Sequence, residues 1–129
     1  MGTRTITHAN FAETVRQGIV FIDWWASWCG PCRAFTPVYE SVAARHPDIV
    51  FGKVDTEAEP GLAEGFGIRS IPTLMILRDG VLLHSRPGAL PAPALEELVE
   101  RVRELDMDEV RRRIAAAEGA EAGAPGRSG

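Results

Sequence analysis

Cysteine is scarce in this chain: Cys29 and Cys32 are its only two thiols in 129 residues. So few exclude a small scaffold stapled by several disulfides. Histidine is nearly as rare. His8, His46 and His84 are scattered without the spacing of metal ligands, so a four-ligand zinc site within one chain is not expected. Lysine is reduced to Lys53 alone against thirteen arginines, an imbalance that carries no functional reading. A net charge of −4 argues against nucleic acid as a partner. No apolar stretch approaches the length of a membrane span. The first residues, Met1 to His8, lack an apolar signal core and a small-residue cleavage site. Ile6 stands where a myristoylation motif wants a hydroxyl. These absences predict a cytoplasmic protein, with thiols kept reduced and a cysteine pair more often catalytic or metal-binding than structural.

What is present fits one domain large enough to bury a core without staples. Thr3 to Thr7 alternates like a short edge strand, and His8 to Arg16 carries Phe11, Ala12 and Val15 at helical spacing up to Gly18. Ile19 to Ala26 is nearly continuous apolar, as in a strand buried on both faces. A helix is predicted from about Pro31 to His46, kinked at Pro37. Ile49 to Asp55 reads as a strand, and Pro60 to Phe66 as a short helix ended by Gly67. Thr73 to Arg78 and Val81 to Ser85 are strands joined by Asp79-Gly80, a hairpin signal. A helix with Leu95, Leu98, Val99 and Val102 follows Pro91 and Pro93. The order β-α-β-α-β-α-β-β-α implies an α/β fold, one mixed sheet of about five strands with helices on both faces. Beyond Leu105 a second unit is expected. Residues 106–118 suggest an extra amphipathic helix capped by Asp106, with Met107, Val110, Ile114 and Ala117 in a stripe. Residues 119–129, rich in Gly and Ala, read as a disordered tail.

The two cysteines stand in Trp28-Cys29-Gly30-Pro31-Cys32, after the apolar run and at the start of a helical pattern. Thiols this close can close a small ring and reopen it, and no third cysteine competes for either. Reversible redox chemistry is the first reading, with a metal site or an inert packed pair as alternatives. A helix starting near Pro31 turns unpaired N–H groups and a positive dipole end toward Cys29, which favours the attacking thiolate. Cys29 is thus expected to be the exposed attacker, and Cys32, one turn inside, the shielded resolving thiol. Asp23 interrupts the apolar run six residues earlier. A buried carboxyl there would hold its proton more tightly and could take one from Cys32, although a hydrogen-bonded structural Asp is the plainer reading. Lys53, on the next strand, either pairs with Asp23 or is solvated. Pro72 opens a strand and is a candidate cis residue. Trp28 is either an exposed contact or core.

Val20 to Tyr39, reading VFIDWWASWCGPCRAFTPVY, resembles the active-site strand and helix of the thioredoxin family. So do Gly67 to Thr73 (GIRSIPT) and Pro87 to Leu90 (PGAL), and the resemblance runs from about Thr5 to Leu105. It implies a thioredoxin fold over residues 1–105. It also implies Cys29 as nucleophile, Cys32 as resolving thiol, Asp23 as buried acid/base group beside Lys53, and a cis Pro72 against the cysteines. Backbone groups of Ile71 would hold an extended substrate strand, with Trp28, Gly30, Pro31, Ile71, Pro72, Gly88 and Ala89 forming the contact surface. Trp24 departs from the Phe usual in the family. The implied partners are protein disulfides and an NADPH-dependent thioredoxin reductase, with no cofactor bound by this chain. The resulting expectation is a monomeric protein-disulfide reductase, association through the segment after Leu105 being the alternative. A non-redox binding subunit using the same apolar surface is the other function class. An oxidase of exported proteins is less consistent with the N-terminus.

Overall fold

The computed structural model describes residues 2–123. Strands β1 (Thr3–Thr5), β2 (Ile19–Trp25), β3 (Val50–Asp55), β4 (Thr73–Arg78) and β5 (Val81–Pro87) form one sheet in the order β1-β3-β2-β4-β5. The first three lie parallel, and β4 runs antiparallel to β2 and β5 to β4. Helices α1 (Phe11–Val15), α2 (Gly30–Arg45), α3 (Pro60–Gly65), α4 (Ala92–Glu104) and α5 (Met107–Gly123) complete the fold. The mixed sheet with helices on both faces is the architecture that the element order implies.

Central β2 is apolar nearly throughout because both of its faces are covered. Its side chains alternate between the two cores. Phe21 joins Phe35, Tyr39 and Val42 of α2 and Leu95, Val99 and Val102 of α4. Val20, Ile22 and Trp24 join Val15 of α1 and, at the periphery, Leu62 and Ala63 of α3. Alternation therefore turns Asp23, two residues beyond Phe21, toward the α2 face. Asp79 and Gly80 take positive φ (53° and 81°) in the β4–β5 hairpin. That turn is tied to the loop before β2, because Gly18 donates its N–H to Asp79 Oδ1 and Asp79 returns one to Gly18 O (both 2.9 Å).

The chain departs from its sequence reading at several ends. β1 stops at Thr5, since Asn10 Oδ1 accepts the Thr7 N–H and bends the chain before α1. α2 starts at Gly30 and continues through Pro37 to Arg45. β5 continues to Pro87, two residues past the predicted end. Beyond Leu105, Asp106 caps α5 as expected, its Oδ1 accepting from the N–H groups of Asp108 and Glu109 (3.0 and 3.2 Å). The helix does not stop at 118 but continues to Gly123. The alanine-rich run from Ala115 has the highest helix propensity available, which offsets Gly119. The rest of the expected disordered tail, 124–129, lies outside the described residues. The α5 stripe is only half used: Met107 is buried and Val110 half-buried, while Ile114 and Ala117 are exposed.

Two expectations follow for stability. Truncation after Leu105 removes buried Met107 and should cost about 2 kcal/mol. Truncation after Arg113 should change stability by less than about 0.5 kcal/mol. Urea unfolding of the two shortened chains measures both. Gly52 on β3 is the second case. A Cβ there would overlap Cδ1 and Cγ1 of Ile6, which is fully buried and has nowhere to move. Gly52→Ala should therefore lose about 1–3 kcal/mol. Adding Ile6→Val should recover part of it, and a Gly52→Ala protein as stable as the parent would contradict the packing.

The far end of α2 is clamped to α4 by charge. Arg45 Nε and His46 Nε2 both meet the Glu96 carboxylate (2.6 and 2.7 Å), and Arg103 pairs with Asp48 at 2.7 Å and reaches His46 Nδ1 at 2.9 Å. The Arg103 hydrogen bond holds the Asp48 carboxyl down at about 2. The clamp fixes the helix whose other end carries the cysteines.

Candidate active site

Cys29 is the N-cap of α2, in extended conformation, and its Sγ accepts the backbone N–H of Cys32 at 3.2 Å. Gly30 and Pro31 occupy the first helical turn, where the missing N–H of proline would have had no partner. Cys32 lies at the third helical position. The two cysteines form a disulfide, with Cα atoms 5.2 Å apart. The structure thus holds the oxidised pair.

One expectation is corrected here: Cys29 is not exposed. It is 4% accessible against 1% for Cys32. Ala26 and the half-buried Trp25 and Ile71 pack around the pair, and Cys29 Sγ lies 3.8 Å from the Ile71 carbonyl. The asymmetry survives in another form, because only the Cys29 sulfur sits at the open helix end facing free N–H groups.

The Ile71–Pro72 peptide is cis, and Pro72 is buried. Its carbonyl accepts the N–H of Gly88 at 2.8 Å, which brings the Gly88-Ala89 turn beside Ile71. Gly88 has φ 109°, a conformation that suits glycine. Gly30, Pro31, Gly88 and Ala89 are exposed, and Trp28 is 64% accessible. The Trp28 indole N–H donates to Glu57 Oε2 at 2.6 Å, which fixes the ring.

Asp23 is fully buried, and neither carboxylate oxygen has a hydrogen-bond partner among the described residues. Burial raises its pKa to about 6, and the Lys53 cation opposes that rise. The register places Lys53 directly beside Asp23, yet Nζ and Oδ2 are 4.0 Å apart, too far for a hydrogen bond. Lys53 instead donates to Thr36 Oγ1 (3.2 Å) and lies over the Trp25 ring at 5.0 Å. The Thr36 hydroxyl in turn donates to the Cys32 carbonyl (3.1 Å), so Asp23, Lys53, Thr36 and Cys32 form one chain of contacts. Tyr39 lies close enough for Asp23 to add to the burial that pushes its phenol up. Sequence reading missed Thr36, Glu57 and Tyr39. A hydroxyl four residues after Cys32 was the only available signal for Thr36. Nothing in the acidic run Asp55, Glu57, Glu59 says which of the three reaches Trp28.

A cysteine pair joined as a disulfide at the N-terminus of the helix after a central strand, on this sheet, defines a thiol–disulfide oxidoreductase. The thioredoxin family model matches residues 2–101. A Streptomyces coelicolor protein named "Putative thioredoxin 2" is 56% identical over 114 residues, covering 88% of this chain and 85% of that protein. A thioredoxin of Chlamydia muridarum is 38% identical over 96 residues, covering 74% of this chain and 94% of its own. A solved structure, a point mutant of a thioredoxin from Halobacterium salinarum, superposes with TM-score 0.74 at 30% identity, over 81% of this chain and 94% of that one. The chain belongs to the thioredoxin family. Among the described residues, no helix is long and apolar enough to cross a membrane.

Proposed function

We propose that Cys29 attacks and Cys32 resolves, with Asp23 as proton acceptor and Lys53 positioning it. The Cys29 thiolate attacks one sulfur of a protein disulfide, forms the mixed disulfide and releases one substrate thiolate. Cys32 then gives its proton to the Asp23 carboxylate and attacks the Cys29 sulfur. The second substrate thiolate leaves, and two electrons have passed to the substrate while Cys29–Cys32 closes. The observation that carries this reading is the unequal placement of the sulfurs, one capping α2 and the other within its first turn. A substrate backbone is held in extended form at Ile71 and Pro72, against the surface of Trp28, Gly30, Pro31, Gly88 and Ala89.

Electrons come from NADPH through a thioredoxin reductase, the chain acts as a monomer in the cytoplasm, and residues 1–105 suffice for the chemistry. Insulin tests the reading. With NADPH and a thioredoxin reductase, the chain is expected to consume NADPH as insulin disulfides open. No consumption by folded protein, with dithiothreitol also failing to drive insulin reduction through it, would overturn the proposal.

A further inference from the structure

Edge strand β5 and helix α4 flank an open cavity of about 170 Å³ that the disulfide chemistry leaves unused. The pairings Leu74↔Arg86 and Ile76↔His84 put His84 and Arg86 on the sheet face where Leu74 and Ile76 pack toward α4. The register is unbroken from Leu74↔Arg86 to Ile76↔His84, and the shift at Leu83 comes only after it. Across the cavity α4 supplies Glu97, Leu98 and Arg101, and Leu90 adds to the apolar floor. Leu90 directly follows Gly88 and Ala89, so the cavity adjoins the surface assigned above to the substrate.

The charges there do not cancel. Glu97 Oε2 lies 3.2 Å from Arg101 Nη2 and neutralises it. Arg86 has no ion pair or side-chain hydrogen bond among the described residues. His84 Nε2 is buried and bonded to nothing among them. Burial and the nearby Arg86 cation lower the His84 pKa. The exposed Arg86 guanidinium, unpaired among the described residues, therefore lines the cavity beside the His84 ring, whose Nε2 is covered.

We propose that this cavity receives an Asp or Glu side chain flanking the attacked disulfide of the substrate polypeptide. Arg86 forms the ion pair, and the His84 ring lines the wall beside it. The proposal rests on the substrate surface inferred above and names a substrate class for it: disulfides set among acidic residues. The volume admits one side chain, and its apolar floor accepts the methylenes of Glu.

Three disulfide peptides, alike except for Glu, Gln or Lys beside the cysteine, test it through kcat/KM. Wild-type protein should prefer the Glu peptide over the Lys peptide by about tenfold at low salt, the ratio falling toward one near about 0.5 M NaCl. Arg86→Glu should invert the preference and Arg86→Gln should abolish it. Arg4→Glu, on the opposite edge strand β1, changes net charge equally and should leave the ratio within about twofold of wild type. Equal use of the Glu and Lys peptides, or matching shifts from Arg86→Glu and Arg4→Glu, would overturn the proposal. Turnover of the Gln peptide separates the two readings: with it, a missing preference sinks only the cavity's assignment, and without it both fall. In the Cys32→Ser protein joined to the Glu peptide, the His84 imidazole should titrate at higher pH than with the Lys peptide. An equal rise on adding inorganic phosphate to free protein would make the cavity a small-anion site and overturn the proposal.

Discussion

Insulin reduction by Cys29→Ser protein will fall by on the order of 10³-fold or more, whereas Cys32→Ser protein will attack once and stop at the mixed disulfide. The difference follows from where α2 begins. Cys29 caps the helix, and its sulfur accepts the Cys32 N–H at 3.2 Å, so negative charge on that sulfur is met by a backbone donor and by the helix dipole. Serine in its place has no thiolate to offer, and Cys32, 1% accessible, cannot reach a bulky disulfide. Serine at position 32 leaves the proposed attacker intact and removes the group proposed to expel the substrate. Mass spectrometry reads the outcome directly: an adduct of one substrate chain should accumulate on Cys32→Ser and none on Cys29→Ser. An adduct on Cys29→Ser, or steady turnover by it, would reverse the assigned roles. The 4% accessibility of Cys29 adds a condition, since the attacked disulfide must present itself as an extended segment beside Ile71 and Pro72. Folded proteins with recessed disulfides should therefore react more slowly than insulin.

Most of the sheet and the cysteine helix were legible because their signals are local. The continuous apolar run of β2, the Asp79-Gly80 turn and the Gly-Pro step between the cysteines each act within a few residues. Asp23 was legible for the opposite reason, since a charge inside an apolar run is costly enough to need a purpose. Contacts between distant segments were not legible. Thr36 receives Lys53 only because β3 lies under α2, and Glu57 meets Trp28 only because the β3–α3 loop folds back over the helix start. The accessibility of Cys29 was misread for the same reason: the residues that cover it include Ile71, forty-two positions away. The length of α5 was misread because the Gly- and Ala-rich composition from Gly119 onward was weighed as disorder, whereas the alanines continue the helix to Gly123.

Asp23→Asn will make the protein more stable at neutral pH and slower as a reductase. The wild-type carboxyl is fully buried, without a hydrogen bond among the described residues and with the Lys53 cation 4.0 Å away. Its pKa is raised to about 6 from an ordinary 3.8, burial being the larger cause and Lys53 the opposing one. The folded state thus binds the proton more tightly than the unfolded chain, so stability falls as pH rises from about 4 through about 6 and is level above that. The loss at neutral pH amounts to about 3 kcal/mol. Asparagine does not ionise, so the advantage of Asp23→Asn should grow across that window by about this amount, roughly 10 °C in Tm. Any constant penalty from its unpaired amide appears equally at pH 4 and subtracts out. Lys53→Met removes the opposing cation and should move the wild-type midpoint above 6. In the proposed mechanism the same carboxylate accepts the Cys32 proton, so resolution of the mixed disulfide should slow by on the order of 10²-fold in Asp23→Asn at pH 7. Wild type should lose that advantage as pH falls through about 6. Chemical unfolding at pH 4, 5, 6 and 7, with single-turnover release of substrate at the same pH values, measures both. A stability difference that does not change with pH would refute the buried-carboxylate argument. A stability gain with no slowing of release would leave Asp23 buried but outside the proton path. On the proposed mechanism the two effects have one cause: the charge that destabilises the core is the base that Cys32 uses.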